Sequence, residues 1–199
     1  MTAVVLYGPP TAGKDTVTAA LSAVDPRFQL LTKLKQGTGR STGYRLVTEG
    51  ELDELREQGR VVVETRRYGN VYAVDRHLLE ESQARGLVPV VHMGNVADLR
   101  TLLSRTETGW LRVLLWVPRD VCQTRSRTRG DADTAKRLRA WDETVQDLLD
   151  SDLNDLFDLV VRTDRAEPED AAKKVAAALD RPVSARLPEE LRAALDLTT

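Results

Sequence analysis

The stretch GPPTAGKDT, residues 8–16, spaces two glycines, a lysine and a carboxylate in a way that suits one chemistry. Gly8 and Gly13 let main-chain N–H groups turn inward, and inward-facing amides hold phosphate oxygens. Lys14 adds a compact positive charge at the same place. A helix starting near Lys14 would turn its positive end toward the same anion. The spacing G-x-x-x-x-G-K, between a strand-like run and a helix-like run, is that of a phosphate-binding loop. Gly8, Pro9, Pro10, Thr11, Ala12, Gly13, Lys14, Asp15 and Thr16 are its candidate lining. The position after the lysine usually carries a hydroxyl; here it is Asp15. A carboxylate beside a polyphosphate needs a cation between them, so Asp15 reads as an oxygen ligand for Mg²⁺. The alternative reading is a negative charge complementing the helix start.

Two more groups could act on phosphate. Lys33, Lys35 and Arg40 fall in a Gly-rich segment before Tyr44, and RRYGNVYAV supplies Arg66, Arg67, Tyr68, Asn70 and Tyr72. Cationic side chains with tyrosine hydroxyls suit a second phosphate. Glu64, at the end of an apolar run, suits hydrogen bonds from a base or sugar. Farther on, RSRTRGDADTAKRLR (125–139) brings Arg125, Arg129 and Arg137 into a stretch broken by Gly130. Phosphoryl transfer needs positive charge around the moving group and a lid that excludes water. A solvated helix laced with Arg–Asp pairs would give the same composition. His92 reads as a strand-end histidine satisfied by its neighbours. The single cysteine, Cys122, reads as a small buried apolar residue.

These residues need a scaffold, and the apolar pattern supplies one. Strands are expected at Ala3–Tyr7, Phe28–Thr32, Val61–Glu64, Val88–His92, Leu111–Val117 and Leu159–Arg162. Helices are expected near 14–23, 48–58, 75–85, 95–104, 118–128, 133–150 and 167–179. Thr48 and Glu51 form a capping box for the second of these, and Gly59 ends it. The alternation predicts an α/β fold with a central parallel sheet flanked by helices. Residues 33–74 interrupt it as a small inserted lobe, read as a loop, a short strand, a helix and two short strands. The core would then be 1–32 and 75–180, the lid about 125–139, and 181–199 a tail with a short helix.

The chain has 199 residues, 41% of them hydrophobic and 30% charged, which suits one domain with an inserted lobe. A net charge of −2 gives no basic footprint for nucleic acid. No apolar run approaches the roughly 20 residues that span a bilayer, and no leader is signalled. The lone cysteine points to a reducing, cytoplasmic setting. A small-molecule partner is expected, with no nucleic acid or membrane, on a monomer or homodimer.

Taken in order, these parts resemble the guanylate kinase-like branch of the P-loop nucleoside monophosphate kinases, over roughly residues 3–180. Lys33 and Lys35 fall near that family's two phosphate-binding arginines. Tyr44, in YRLV, falls on its Y-x-F tyrosine. Glu64 matches its guanine-reading glutamate, one residue nearer the next motif than usual. GNVYAV (69–74) resembles its GNYYG[ST], and RSRTRG (125–130) its R-x-x-x-R-G lid. VVRTD (160–164) resembles the strand ending near the adenine. The resemblance implies a kinase that uses ATP and Mg²⁺, with Lys14, Arg125, Arg129 and Arg137 catalytic and Lys33, Lys35, Tyr44, Glu64 and Tyr72 binding a phosphorylated acceptor. GMP or a related nucleoside monophosphate is the first expectation. Two features depart from the family. Asp15 stands where Ser or Thr is usual, and HMGNVAD replaces D-x-D-x-Q-G, with His92 and Gly94 at the acidic positions. Both departures are similar to the ribose 1,5-bisphosphate phosphokinases, which makes such a sugar phosphate, or a specialised metabolite, the alternative acceptor. A non-catalytic guanylate kinase-like binding module and a plain nucleoside triphosphatase are readings of other classes.

Overall fold

The computed structural model describes residues 2–39, 41–67, 69–130, 134–153 and 156–179. Arg40, Tyr68, residues 131–133 of the expected lid and the tail with its expected helix lie outside the described residues. The first strands are β1 (Thr2–Tyr7), β2 (Phe28–Leu30), β3 (Lys33–Gln36) and β4 (Tyr44–Leu46). They are followed by β5 (Val61–Arg67), β6 (Asn70–Asp75), β7 (Val88–Met93), β8 (Gly109–Trp116) and β9 (Leu159–Arg162). The helices are α1 (Lys14–Val24), α2 (Glu49–Glu57), α3 (Arg76–Ala84), α4 (Val96–Ser104), α5 (Arg119–Thr128), α6 (Thr134–Leu149) and α7 (Pro168–Leu179).

β1 is the middle of a five-stranded sheet ordered β2-β7-β1-β8-β9, parallel at every pairing. Its run from Ala3 to Tyr7 is fully buried, as a strand covered on both faces requires. Side chains alternate across the sheet. Val5 and Tyr7 join the core under α3, α4 and α6, built from Leu79, Leu99, Leu102 and Leu148. Val4 and Leu6 join the opposite core under α1 and α7, with Val17, Leu21, Ala172 and Val175. Cys122 is buried in that second core. The parallel order puts the carboxyl ends of β1, β7, β8 and β9 along one edge, where open α/β sheets bind ligands.

Residues 33–75 add a second sheet, ordered β4-β3-β6-β5. Thr48 and Glu51 cap α2 reciprocally. α2 lays Leu52 and Leu55 on Leu34, Val71 and Ala73 of the sheet. The segment KLKQ, read from sequence as part of a loop, is the inner strand β3. One leucine between two lysines gives no periodic signal. Leu34 is nevertheless fully buried, and pairing with β4 and β6 on either side holds the segment extended.

Register then decides which residues share a face, because opposed residues in an antiparallel pair point the same way. Lys35 opposes Tyr72, and Tyr72 opposes Thr65. That row looks toward the main sheet. Leu34 opposes Ala73, and Ala73 opposes Glu64, on the face covered by α2.

Candidate active site

The loop after β1 is shaped by close approach. A Cβ on Gly8 would stand 2.2 Å from the Leu115 carbonyl oxygen of β8, so only glycine lets the loop leave the sheet there. Gly13, at φ 85°, precedes α1, and no side chain caps that helix. Its first N–H groups therefore face the loop, the arrangement that binds anions. Lys14 Nζ donates to the carbonyls of Gly8 and Pro9 at 2.6 and 2.9 Å, closing the loop on itself. Thr11 Oγ1 is buried in the same loop and has no hydrogen-bond partner among the described residues. A buried hydroxyl left in this way fits a phosphate oxygen as its partner.

Arg125 holds the loop from outside. Its guanidinium donates to Thr11 O at 3.1 Å, to Thr163 Oγ1 at 3.1 Å and to Thr163 O at 2.5 Å. Thr163 Oγ1 donates in turn to Ala12 O at 3.0 Å. This arginine, read from sequence as part of a lid, ties the loop to the end of β9. Arg129 is exposed at the carboxyl end of α5. It lines an open groove of about 720 Å³ with Gly13, Thr16, Thr128, Asp164 and Arg165. The groove starts at the phosphate loop and runs along the segment after β9, where VVRTD placed a nucleobase. Arg137, exposed on α6, is close enough for its charge to act on Lys14.

Charge is concentrated around Lys14. Burial lowers its pKa to about 8; Asp15 opposes that shift, while Arg67, Lys33 and Arg137 add to it. Lys33 is likewise lowered to about 8 by burial, with Asp98 opposing. Its ammonium donates to the main-chain oxygen of His92. His92 itself is lowered to about 3 by burial, then by Lys14 and Lys33, so it is neutral at physiological pH. Thr18 Oγ1 donates to Lys14 O at 2.8 Å and lies 2.8 Å from His92 Nε2. With its one proton given to Lys14 O, Thr18 accepts from an Nε2–H tautomer. That leaves His92 held at the end of β7 through Nε2. Its Nδ1 is 3.6 Å from Asp15 Oδ1, and the Asp15 side chain is 72% exposed at the loop mouth. No group of three His, Cys, Asp or Glu side chains among the described residues could hold a metal alone. One exposed carboxylate beside a polyphosphate does suit Mg²⁺, which keeps several waters and takes its other ligands from phosphate.

The lobe presents its own cation. Lys35 is 2% exposed, donates to Thr38 O at 2.6 Å, and lies 5.8 and 5.7 Å from the ring centres of Tyr44 and Tyr72. The two rings are 5.2 Å apart and tilted, an aromatic seat for an ammonium. At the other end of the row, Thr65 Oγ1 donates to the carboxylate of Asp98. Asn95 Nδ2 donates to the same Asp98 oxygen at 2.6 Å, while Asn95 caps α4.

Lys33, Lys35, Tyr44 and Tyr72 thus share the face of the lobe sheet away from α2, and Glu64 does not join them. Glu64 lies on the α2 face, with Oε2 bound by Arg56 at 2.6 Å and Oε1 by Arg66 at 2.8 Å. The one-residue offset in its spacing is the physical reason: one step along a strand turns a side chain to the opposite face. Thr65, Asn95, Asp98 and Thr163 were not singled out as site residues from sequence, and Arg67 was read only as one of the cations of RRYGNVYAV. Thr65 and Arg67 have a period-two signal, but using it requires the register with Tyr72. The others come from elements distant in sequence.

The fold is that of the P-loop kinases. Guanylate kinase from Anaplasma phagocytophilum superposes with a TM-score of 0.62 at 16% identity, over 96% of this chain and 94% of that one. At that identity the likeness is one of fold. Shikimate kinase from Acinetobacter baumannii, solved in complex with shikimate, superposes with a TM-score of 0.45 at 16% identity, over 88% of this chain and 91% of that one. No family model matches the chain, and no curated protein matches it by sequence. No helix among the described residues is long and apolar enough to cross a membrane.

Proposed function

We propose that the protein is an ATP-dependent kinase that phosphorylates an already phosphorylated small molecule. The observation that carries this reading is the loop after β1, where an α1 start without a side-chain cap, the Lys14 ammonium and the buried Thr11 hydroxyl, unpartnered among the described residues, come together. Lys33 of β3, Arg67 of β5 and Arg137 of α6 add positive charge that acts on Lys14. Like charges depress one another's proton affinity, and such a gathering is stabilised when polyanions bind among them. ATP would lie with its phosphates in the 8–16 loop, on Lys14 and the Thr11 hydroxyl, and its nucleoside in the groove beside Arg129. Asp15 would hold Mg²⁺, which supplies charge neutralisation at the phosphates. The acceptor phosphate would meet Lys35, Tyr44 and Tyr72, with Lys33 between the two substrates. Arg137 would close on the transferring group and Arg125 would keep the loop in shape. Positioning and charge carry most of the acceleration in such a reaction. Closure of the lobe and of the 125–139 region would accompany each turnover.

For the acceptor, a GMP reading leans on Glu64, whose two oxygens are taken by arginines on the far face of the lobe. A sugar phosphate of the ribose 1,5-bisphosphate type asks nothing of Glu64, which favours it over GMP. ADP release from ATP–Mg²⁺ tests both, against GMP, dGMP, AMP, ribose 1,5-bisphosphate and no acceptor. Turnover with the sugar phosphate is the expected outcome, and turnover with GMP alone would return the base-reading role to this cleft. ADP release at the same rate without acceptor would mean a nucleoside triphosphatase. ATP binding with no release under any condition would mean a binding module.

A further inference from the structure

Arg67 shares in the charge around Lys14, and its place in the lobe gives it a more particular part. β5 runs past Thr65 to Arg67, which opposes Asn70, so period two puts Thr65 and Arg67 on the cleft face. From there the side chain leaves the lobe and reaches the end of β7. A Cβ built on Gly94 would stand 3.2 Å from Arg67 Nη1. The other end of the guanidinium, Nη2, is 3.8 Å from Glu143 Oε2 on α6, an exposed carboxylate. Gly94 does not adopt a positive φ, and a side chain there would crowd the tip of Arg67, which would have to give way by a few tenths of an ångström. Arg67 also acts at the carboxyl end of β1. Burial and Asp147 raise the pKa of the Tyr7 hydroxyl, and Arg67 opposes them. It is among the charges that lower Lys14. An acid at position 94, as in D-x-D-x-Q-G, would pair with this guanidinium and cancel it.

We propose that Arg67 is a catalytic residue, reaching over Gly94 from the lobe to contact the phosphoryl group as it passes from the loop to the acceptor. The proposal rests on the phosphotransferase reading above. In the step it serves, an acceptor oxygen forms a bond to the γ-phosphorus. The bond from that phosphorus to the β,γ-bridging oxygen breaks, and ADP leaves with the electron pair. A phosphate oxygen of a dianionic acceptor attacks without a proton to lose. Equatorial charge on the transferring group is then shared by Lys14 from the loop side and Arg67 from the lobe side. A guanidinium fixed by strand pairing to the moving lobe arrives when the lobe closes, and water is excluded in the same motion.

Binding of ADP–Mg²⁺ with aluminium fluoride, a mimic of the phosphoryl in transit, tests this without any acceptor. The unaltered protein should hold ADP–aluminium fluoride more tightly than ADP. Arg67→Ala should lose about 30-fold or more of that gain, with ADP affinity unchanged and circular dichroism intact. Arg67→Lys should recover part of it, and Gly94→Asp should lose it as Arg67→Ala does. With an acceptor, Arg67→Ala should lower kcat by about 10²- to 10³-fold and move KM little. Glu143→Gln separates a contact with phosphate from a mere latch onto α6, and it should behave as the unaltered protein. The proposal is overturned if Arg67→Ala keeps the full gain, if Glu143→Gln loses as much as Arg67→Ala, or if the unaltered protein shows no gain. Absence of turnover across the acceptor panel, with the gain present and lost in Arg67→Ala, would refute the acceptor reading and leave the assignment of Arg67 standing.

Discussion

The phosphate loop and the inserted lobe each present a lysine to the cleft, under opposite constraints. Lys14 is held by its own neighbourhood: it binds carbonyls five and six residues back, in a loop whose shape follows from two glycines and a helix start. Lys35 donates locally to Thr38 O, but its place is set by distant chain. Its strand lies between β4 and β6, and its ammonium sits by tyrosines from both. A local device can be moved as a unit and keeps its meaning. A non-local device changes meaning when one strand slips by one residue. Glu64 shows this, since it kept its residue type and yet stands behind the sheet, tied to Arg56 and Arg66.

The sharpest way to break this contrast is Lys14→Ala. It should abolish transfer by about 10³-fold or more, as expected when a preorganised charge on the moving phosphoryl is lost. The thermal transition should stay in place, since the ammonium contacts only loop carbonyls. Steady-state ADP release and a melting curve check both.

Lys35→Ala should raise acceptor KM by roughly 10²-fold, the effect of losing a charge-assisted contact of about 2–3 kcal/mol. ATP affinity should stay level. A loss of ATP binding instead would mean that loop and lobe do not divide donor and acceptor between them.

pH separates the buried lysines from ordinary ones. Lys14 and Lys33 are both lowered to about 8. A phosphate needs the ammonium forms, and the free protein loses them as pH rises through 8. ATP affinity should therefore be flat below pH 8. Above it, affinity should weaken by about tenfold per unit for each proton that must be taken up on binding. Calorimetric titration in buffers of different ionisation enthalpy reads both the affinity and the proton uptake. His92, lowered to about 3, should contribute nothing between pH 6 and 9.

The smallest effect is expected of Glu64→Gln. Acceptor KM should move less than about threefold, while the lobe loses the ion pairs to Arg56 and Arg66. Both pairs are partly exposed, so the stability cost should stay within about 1 kcal/mol. A large rise in KM for GMP would show that Glu64 reaches the acceptor after all.

Much of this was legible in the residue string. The alternating apolar runs mark the strands of the main sheet and the helices between them to within a few residues. That legibility has a cause: strands buried on both faces, such as Val4–Tyr7, must be apolar throughout. The capping box at Thr48 and Glu51 is local chemistry and reads directly. β3 was not legible, because its one buried apolar residue is Leu34 and its hydrogen bonds go to strands ten and more residues away. Arg125 illustrates the same limit in the lid. Its type and spacing mark phosphate chemistry, yet its guanidinium is spent on Thr11 O and Thr163.

By itself the sequence determined that a strand, a glycine-bounded loop and a helix come together with a lysine at the loop's end, because each of those features depends on residues within a few positions of one another. It determined the α/β alternation for the same reason. Only the tertiary structure decided which side chains share the cleft. Lys33, Arg67 and Arg137 lie close enough for their charge to act on Lys14, Thr65 meets Asp98, and Glu64 stands on the opposite face. Those outcomes depend on strand register and on pairings between distant segments, and a side-chain face that reverses with every residue cannot be read without them.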